Sequence, residues 1–210
     1  GRPGPVWIDI PLDIQASEID ETSLRGYEHQ EMIRPSCEEK DIEETIQLLN
    51  ASKRPLILVG NGIRLSGAKK EMRTLLETLK IPVMTSWNGC DLVEEDFPMY
   101  CGRPGIVANR YTNFIFQNAD FVLTIGTRLN LLSTGYNYDS FLENATHVMV
   151  DIDEHEMDKK SVHPDKKIVC DAKVFIEKML EHSDRMSIMD RHEWEERIAF
   201  LKTKYPRFIP

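Results

Sequence analysis

The chain has 210 residues with 26 basic and 35 acidic side chains, a formal charge of −9. That length carries one domain with a full core plus appendages. The acid excess excludes the concentrated basic face that duplex nucleic acid requires, and reads as a solvated surface. No apolar stretch approaches the roughly 18–20 residues of a membrane span, and the opening Gly1-Arg2-Pro3-Gly4-Pro5 is too polar and stiff for a signal peptide. Cys37, Cys90, Cys101 and Cys170 form no C-x-x-C pair, which argues for reduced thiols in a cytoplasmic protein and against zinc. A start without methionine, on a segment that already reads as a strand, suggests a piece of a longer protein.

In chain order, Gly4-Pro5-Val6-Trp7-Ile8-Asp9-Ile10-Pro11 is an apolar run between prolines and predicts a strand. Residues 16–37 are polar and aperiodic and read as a linker. Ser36, with Glu39 three residues on, has the pattern of a capping box, after which Ile42, Ile46 and Leu49 fall on one helical face. Strands are expected at Leu56–Val59, Ile81–Thr85, Phe121–Ile125, His147–Ile152 and Ile168–Cys170. Helices are expected from about Ser66 (Met72, Leu75, Leu76 and Leu79 inward), at Asn109–Asn118 (Phe114 and Ile115 inward), and near Glu154–Lys159. Another should be capped by Asp171, with Val174, Phe175, Met179 and Leu180 inward. Residues 88–105 form a loop rich in Gly, Asp and Pro. Residues 183–210 read as a charged hinge and one amphipathic helix (Trp194, Ile198, Leu201). Regular alternation of strand and helix predicts an α/β fold with a parallel, Rossmann-like sheet and helices on both faces.

Two strands stop at glycine. Gly60-Asn61-Gly62 follows the first, and Gly126-Thr127-Arg128 follows the third. Bare backbone N–H groups at such an edge bind nucleotide phosphates. Gly60-Asn61-Gly62 lacks the third glycine of a dinucleotide fingerprint, because position 65 is Leu, and the acid expected after the second strand is replaced by Thr85 and Ser86. A P-loop fails because Ala68 occupies its lysine position. The turn therefore reads equally as ligand contact or as plain βα structure. Arg128, beside a glycine at a strand end, suits forked bonds to phosphate, with a salt bridge to a nearby acid as the alternative. In Asp151-Ile152-Asp153-Glu154-His155, strand-end and helix-cap roles explain the acids without a metal. Asp151 would suit ribose hydroxyls at the nucleoside end of a crevice. Asp171 is explained as an N-cap. There is no G-x-S-x-G elbow, no H-E-x-x-H, and no paired carboxylates placed for acid–base work.

These segments, in this order, resemble the central domain of thiamine-diphosphate-dependent enzymes of the acetolactate synthase type. The resemblance runs through Arg54–Gly62, Ile81–Ser86, Ala108-Asn109, Asn118–Arg128, His147–Asp153 and Cys170-Asp171-Ala172. It implies that residues 1–16 are the closing strand of a missing pyrimidine-binding domain and 17–37 a linker. Residues 38–182 would be the central nucleotide-binding-like domain, and 183–210 a hinge leading to a missing pyrophosphate-binding domain. In the parent enzyme, thiamine diphosphate and magnesium sit between those two other domains. The cofactor's ylid attacks a 2-oxo acid such as pyruvate and passes a carbanion to an acceptor. The catalytic glutamate and the Gly-Asp-Gly metal motif belong to the other domains, so the fragment is expected to be catalytically silent. The parent is expected to be a cytoplasmic homodimer or homotetramer.

Carried over position by position, the family's flavin-contacting segments fall at Gly60, Asn61 and Gly62, at Ser86, Trp87 and Asn88, at Gly126, Thr127 and Arg128, at Asp151 and Ile152, and at Asp171 and Ala172. FAD, ADP or no ligand are the alternatives for this crevice. Two departures stand out. The family's Gly-Ala-Arg-Phe-Asp-Asp-Arg run ends here in Leu132, and its His-Gly pair becomes Arg103-Pro104, which makes Arg103 a candidate replacement for the lost charge. A free-standing flavin or nucleotide module and a ligand-free interaction domain are the rival readings.

Overall fold

The structure, a computed structural model, describes residues 3–28, 34–187 and 191–207. They fall into two compact units, one ending at residue 33 and one beginning at residue 34. In the first, residues 3–11 form no strand, contrary to the sequence expectation. Helix α1 follows at Leu12–Gln15, and a 3₁₀ turn at Glu21–Ser23 is capped by Asp20. The apolar run is fully open, with Val6 84% and Trp7 91% exposed. A lone extended segment satisfies its backbone groups only when a neighbouring strand pairs with it, and none does so among the described residues.

The second unit opens by docking the end of the expected linker: the Asp171 N–H donates to the Pro35 carbonyl at 2.8 Å. Helix α2 spans Glu39–Ala51. Its start is two residues later than a Ser36 cap would give. Glu38 is the N-cap, and the Asp41 carboxylate accepts from the Glu38 N–H at 3.1 Å, closing a box in a different register. Then come β1 (Pro55–Val59), α3 (Gly62–Leu65), α4 (Lys69–Leu79), β2 (Val83–Thr85), α5 (Arg110–Asn118) and β3 (Phe121–Ile125). They are followed by α6 (Leu131–Thr134), β4 (Thr146–Asp151), β5 (Lys166–Val169), α7 (Ala172–Glu181) and α8 (His192–Lys204).

The helix expected from Ser66 is two helices. Gly67, at φ +73°, breaks the chain between α3 and α4. Strand β2 starts at Val83 and not Ile81; Pro82 has no N–H to give a ladder and contributes only its carbonyl, which accepts from the Ile57 N–H at 3.0 Å. The helix expected near Glu154–Lys159 is only a 3₁₀ turn at Glu154–Glu156.

All five strands are parallel, in the order β2-β1-β3-β4-β5. Strand side chains alternate between two cores, as the pleat requires. Ile57, Val59, Leu123, Ile125, Val148 and Val150 face one core with α2, α4 and α7. Leu56, Leu58, Met84, Val122 and Met149 face the other with α5 and α8. The β1-to-β2 connection covers the first face, and the β2-to-β3 connection, which runs the opposite way, covers the second. Uniform crossover handedness requires this arrangement. β1 and β3, buried on both faces, are apolar runs for that reason, with Thr124 the one polar residue between them.

α8 belongs to this packing. Trp194, Ile198 and Leu201 are buried in the second core, and the indole N–H of Trp194 donates to the Pro55 carbonyl at 3.1 Å. The β2 edge is also covered. Met99–Gly102, expected as loop, lies along it: the amides of Val83 and Thr85 donate to Met99 and Gly102, and the Cys101 N–H donates to Val83. Edge β5 carries Lys166 and Lys167, charges that discourage pairing with another chain.

Candidate nucleotide crevice

Between β1 and β3 the chain reverses its direction of travel across the sheet. In open α/β sheets, ligands bind outside the carboxyl ends of the strands at such a switch point. The two glycine turns singled out from the sequence lie at this point, one on each strand, and they touch. The Gly60 N–H donates to the Ile125 carbonyl and the Gly62 N–H to the Gly126 carbonyl, both at 3.0 Å. A Cβ on Gly60 would stand 2.3 Å from the Gly126 oxygen, and one on Gly62 would stand 2.6 Å from the Gly126 Cα. The glycines are demanded by backbone lying against backbone. The expectation of bare N–H groups at the Gly-Asn-Gly turn is therefore corrected at Gly60 and Gly62, whose donors are spent inside the protein.

The donors that stay uncommitted lie one turn further on. The amides of Thr127 and Arg128 make no hydrogen bond among the described residues. The Thr127 hydroxyl is buried and has no partner among the described residues. Gly126, Arg128 and Leu129 have φ of 59°, 62° and 43°. Left-handed residues placed on either side of Thr127 are backbone of the kind that builds anion-binding nests. The Arg128 Nε donates to the buried Glu156 carboxylate at 2.6 Å, and Lys159 approaches the other oxygen of that carboxylate at 2.6 Å. Lys159 also donates to the Arg128 carbonyl. Arg128 thus makes the salt bridge weighed as an alternative, while its Nη groups, on a side chain 65% exposed, make no bond among the described residues. Leu129 is buried, Asn130 caps α6, and Leu132 is half exposed.

Ser86, Trp87 and Asn88 form the turn after β2. The Ser86 N–H donates to Val59 at 2.9 Å, which sets this turn beside the Gly60 turn, and Trp87 is 45% exposed. The residue that ties the two turns together is Arg64, which the sequence reading passed over. Its guanidinium binds the Asn61 side chain, the Asn88 carbonyl and the Asp91 carboxylate. The available signal was its place three residues after Asn61 on one helical turn. Asn61 is therefore engaged within the protein.

On the far side of the switch point, Asp151 is buried at the end of β4 and accepts from the Asp153 N–H at 3.2 Å, with Ile152 between them half-buried. Asp153 caps the 3₁₀ turn through the His155 N–H. Among the described residues no group of three or more His, Cys, Asp or Glu converges to hold a metal. Asp171 caps α7 by accepting from Lys173 and Val174, with Arg34 3.6 Å away; Ala172 is the first, buried residue of that helix. Arg103 lines a cavity of about 540 Å³ beside the β2 edge, together with Cys90, Asn109 and Tyr111; none of the other candidate cofactor-binding residues lines it.

A doubly wound, all-parallel sheet with helices on both faces defines a Rossmann-like α/β domain. The sequence profile of the thiamine pyrophosphate enzyme central domain matches residues 42–179, and the chain belongs to that family. The probable acetolactate synthase large subunit of Methanococcus aeolicus is 34% identical over 219 residues, covering 96% of this chain and 36% of the relative. That of Methanocaldococcus jannaschii is 35% identical, covering 96% of this chain and 34% of the relative. The acetolactate synthase isozyme 1 large subunit of Escherichia coli K12 is 30% identical, covering all of this chain and 36% of the relative. The chain spans about a third of the length of these relatives. No helix among the described residues is long and apolar enough to cross a membrane.

Proposed function

We propose that this chain is the central domain of a thiamine-diphosphate-dependent carboligase or decarboxylase of acetolactate synthase type, and that its own work is to scaffold the neighbouring domains. The catalytic machinery, including the sites for thiamine diphosphate and magnesium, lies in those other domains. When bound there, the thiamine cofactor supplies the carbanion chemistry on a 2-oxo acid. The parent works as a cytoplasmic homodimer or homotetramer. In the parent, residues 1–16 supply the closing strand of the pyrimidine-binding domain, a pairing that residues 3–11 do not make in this chain. Their bare apolar side chains, Trp7 foremost, support that role, since a strand of this kind needs a sheet to join.

The crevice at the switch point takes the diphosphate of FAD or ADP. The observation that carries this reading is the turn after β3, where uncommitted amides of Thr127 and Arg128 accompany a buried hydroxyl without a partner. A buried polar group in that condition is costly, and a ligand oxygen would satisfy it. Arg128 would supply its Nη groups to the phosphates. Ser86, Trp87 and Asn88 would line one side, and Asp151 would suit the ribose. Thr127 and Arg128 bind and orient; no proton transfer is assigned to them. A second reading, a scaffold with an empty crevice, draws support from the spent donors of Gly60 and Gly62 and from Glu156, which repels phosphate. The test is an absorbance spectrum of the purified intact protein for bound flavin, with calorimetric titration of FAD and of ADP. Binding that Arg128→Gln weakens supports the nucleotide reading. The absence of both ligands, in the protein as purified and on titration, leaves the scaffold.

A further inference from the structure

The cavity beside the β2 edge is built from a different part of the chain than the crevice. The loop after β2, the start of α5 and the end of α8 enclose it. Its charged walls are Arg103, Lys202, Arg207 and Glu95. Arg207 and Glu95 pair with each other, and the Lys202 ammonium donates to the Tyr100 carbonyl at 2.8 Å. Arg103 is different. It is half-buried and makes no hydrogen bond or ion pair among the described residues. The neighbouring Tyr111 hydroxyl likewise has no partner among them. In a chain whose acids outnumber its bases by 35 to 26, a half-buried guanidinium that pairs with no acid among the described residues, while Glu95 on the same wall is taken by Arg207, needs a physical reason. Arginine carries five donors and stays charged at any physiological pH.

We infer that this cavity is a binding site for a small organic oxyanion, a carboxylate or phosphate ester, held by Arg103 in a fork with Lys202 and the Tyr111 hydroxyl in support. After the Glu95–Arg207 pair cancels, Arg103 and Lys202 leave two positive charges on the walls that no acid among the described residues compensates. Charge-assisted bonds from a partly desolvated guanidinium are the strong kind. The cavity volume lies within the range of small-molecule sites. Arg128 and the other candidate residues of the switch-point crevice do not line this cavity.

Cys90 lines the same cavity and is the one exposed thiol of the chain; Cys37, Cys101 and Cys170 are buried. It reports occupancy. In the intact protein, the alkylation rate of Cys90 by iodoacetamide, a neutral reagent, is read by mass spectrometry of its peptide. Inorganic pyrophosphate is titrated in one arm and malonate in the other, with chloride at matched ionic strength as the reference. Saturable slowing is expected in at least one arm, and the arm protecting at lower concentration tells phosphate from carboxylate. Arg103→Gln is expected to raise the half-protecting concentration about tenfold or more, with Arg103→Lys intermediate because it keeps the charge and loses the fork. Tyr111→Phe, which keeps the ring, gives a smaller rise, and Arg128→Gln none. Unchanged alkylation in both arms, or protection that survives Arg103→Gln or disappears with Arg128→Gln, overturns the assignment.

Discussion

Replacing Gly126 with alanine tests the contact that closes the switch point. Two penalties meet at this position. Its φ is +59°, where a Cβ costs about 1–2 kcal/mol. The new methyl would also stand 2.7 Å from the Gly62 Cα and 3.2 Å from the Gly62 carbonyl carbon. Those are backbone atoms, which cannot rotate aside as a side chain would. The turns must part, stretching the 3.0 Å bond from the Gly62 N–H to the Gly126 carbonyl. Overpacking of this kind costs a further 1–3 kcal/mol or so, for a total of about 2–5 kcal/mol. Gly67 is the internal control. Its φ is +73°, yet nothing lies within 4 Å of its missing Cβ, so Gly67→Ala carries the conformational penalty alone. Urea unfolding of both variants, with the slope checked for constancy, measures the difference. Gly126→Ala should be less stable than Gly67→Ala by about 1–3 kcal/mol. Equal stabilities would refute the claim that the two turns are locked by backbone contact.

Three other outcomes are expected. Trp194→Ala should cost about 3–5 kcal/mol in the same unfolding assay, since Trp194 is 2% exposed, whereas Trp7→Ala, at a residue 91% exposed, should stay within about 0.5 kcal/mol in this chain. A small Trp194 effect would mean that α8 is an appendage and not part of the core. His147 is buried against Phe141, with its Nε2 3.0 Å from the Thr124 hydroxyl, and burial pushes its pKa down to about 4 from 6.5, against an opposing pull from Asp165. The unfolded chain binds that proton first. Stability is therefore full above pH 6.5 and falls by roughly 3 kcal/mol as pH drops toward 4, then levels. His147→Gln should flatten this part of the pH–stability curve, and an unchanged slope would place the acid sensitivity elsewhere. Arg64→Ala should change global stability by no more than about 1 kcal/mol, because its bonds are exposed, yet it should speed amide exchange across residues 86–91. Uniform exchange would deny Arg64 its role as the tie between the two turns.

Much of this architecture was legible in the chain itself. Phe121-Val122-Leu123-Thr124-Ile125 is apolar but for Thr124 because it is buried on both faces, and it reads as an inner strand of a parallel sheet. The face of α4 and the cap at Asp171 follow from local spacing and local hydrogen bonding, which need no knowledge of the rest of the fold. On α7, Phe175 and Met179 were legible, whereas Ile176 is buried and Val174 and Leu180 only partly so. Pro82 and Gly67 marked boundaries that residue-type patterns blurred, since each acts through its own backbone.

What tertiary structure alone decided are the pairings between residues far apart in sequence. Whether the amides of Gly60 and Gly62 face a ligand depends on where Gly126 sits, and whether Arg128 is free depends on Glu156. The apolar run at residues 4–11 reads as a strand because its composition suits one, but a strand exists only where a neighbour accepts its hydrogen bonds. Local sequence determines what a segment can do with its backbone and its faces; the donors left over for function are those that distant segments of the folded chain do not consume.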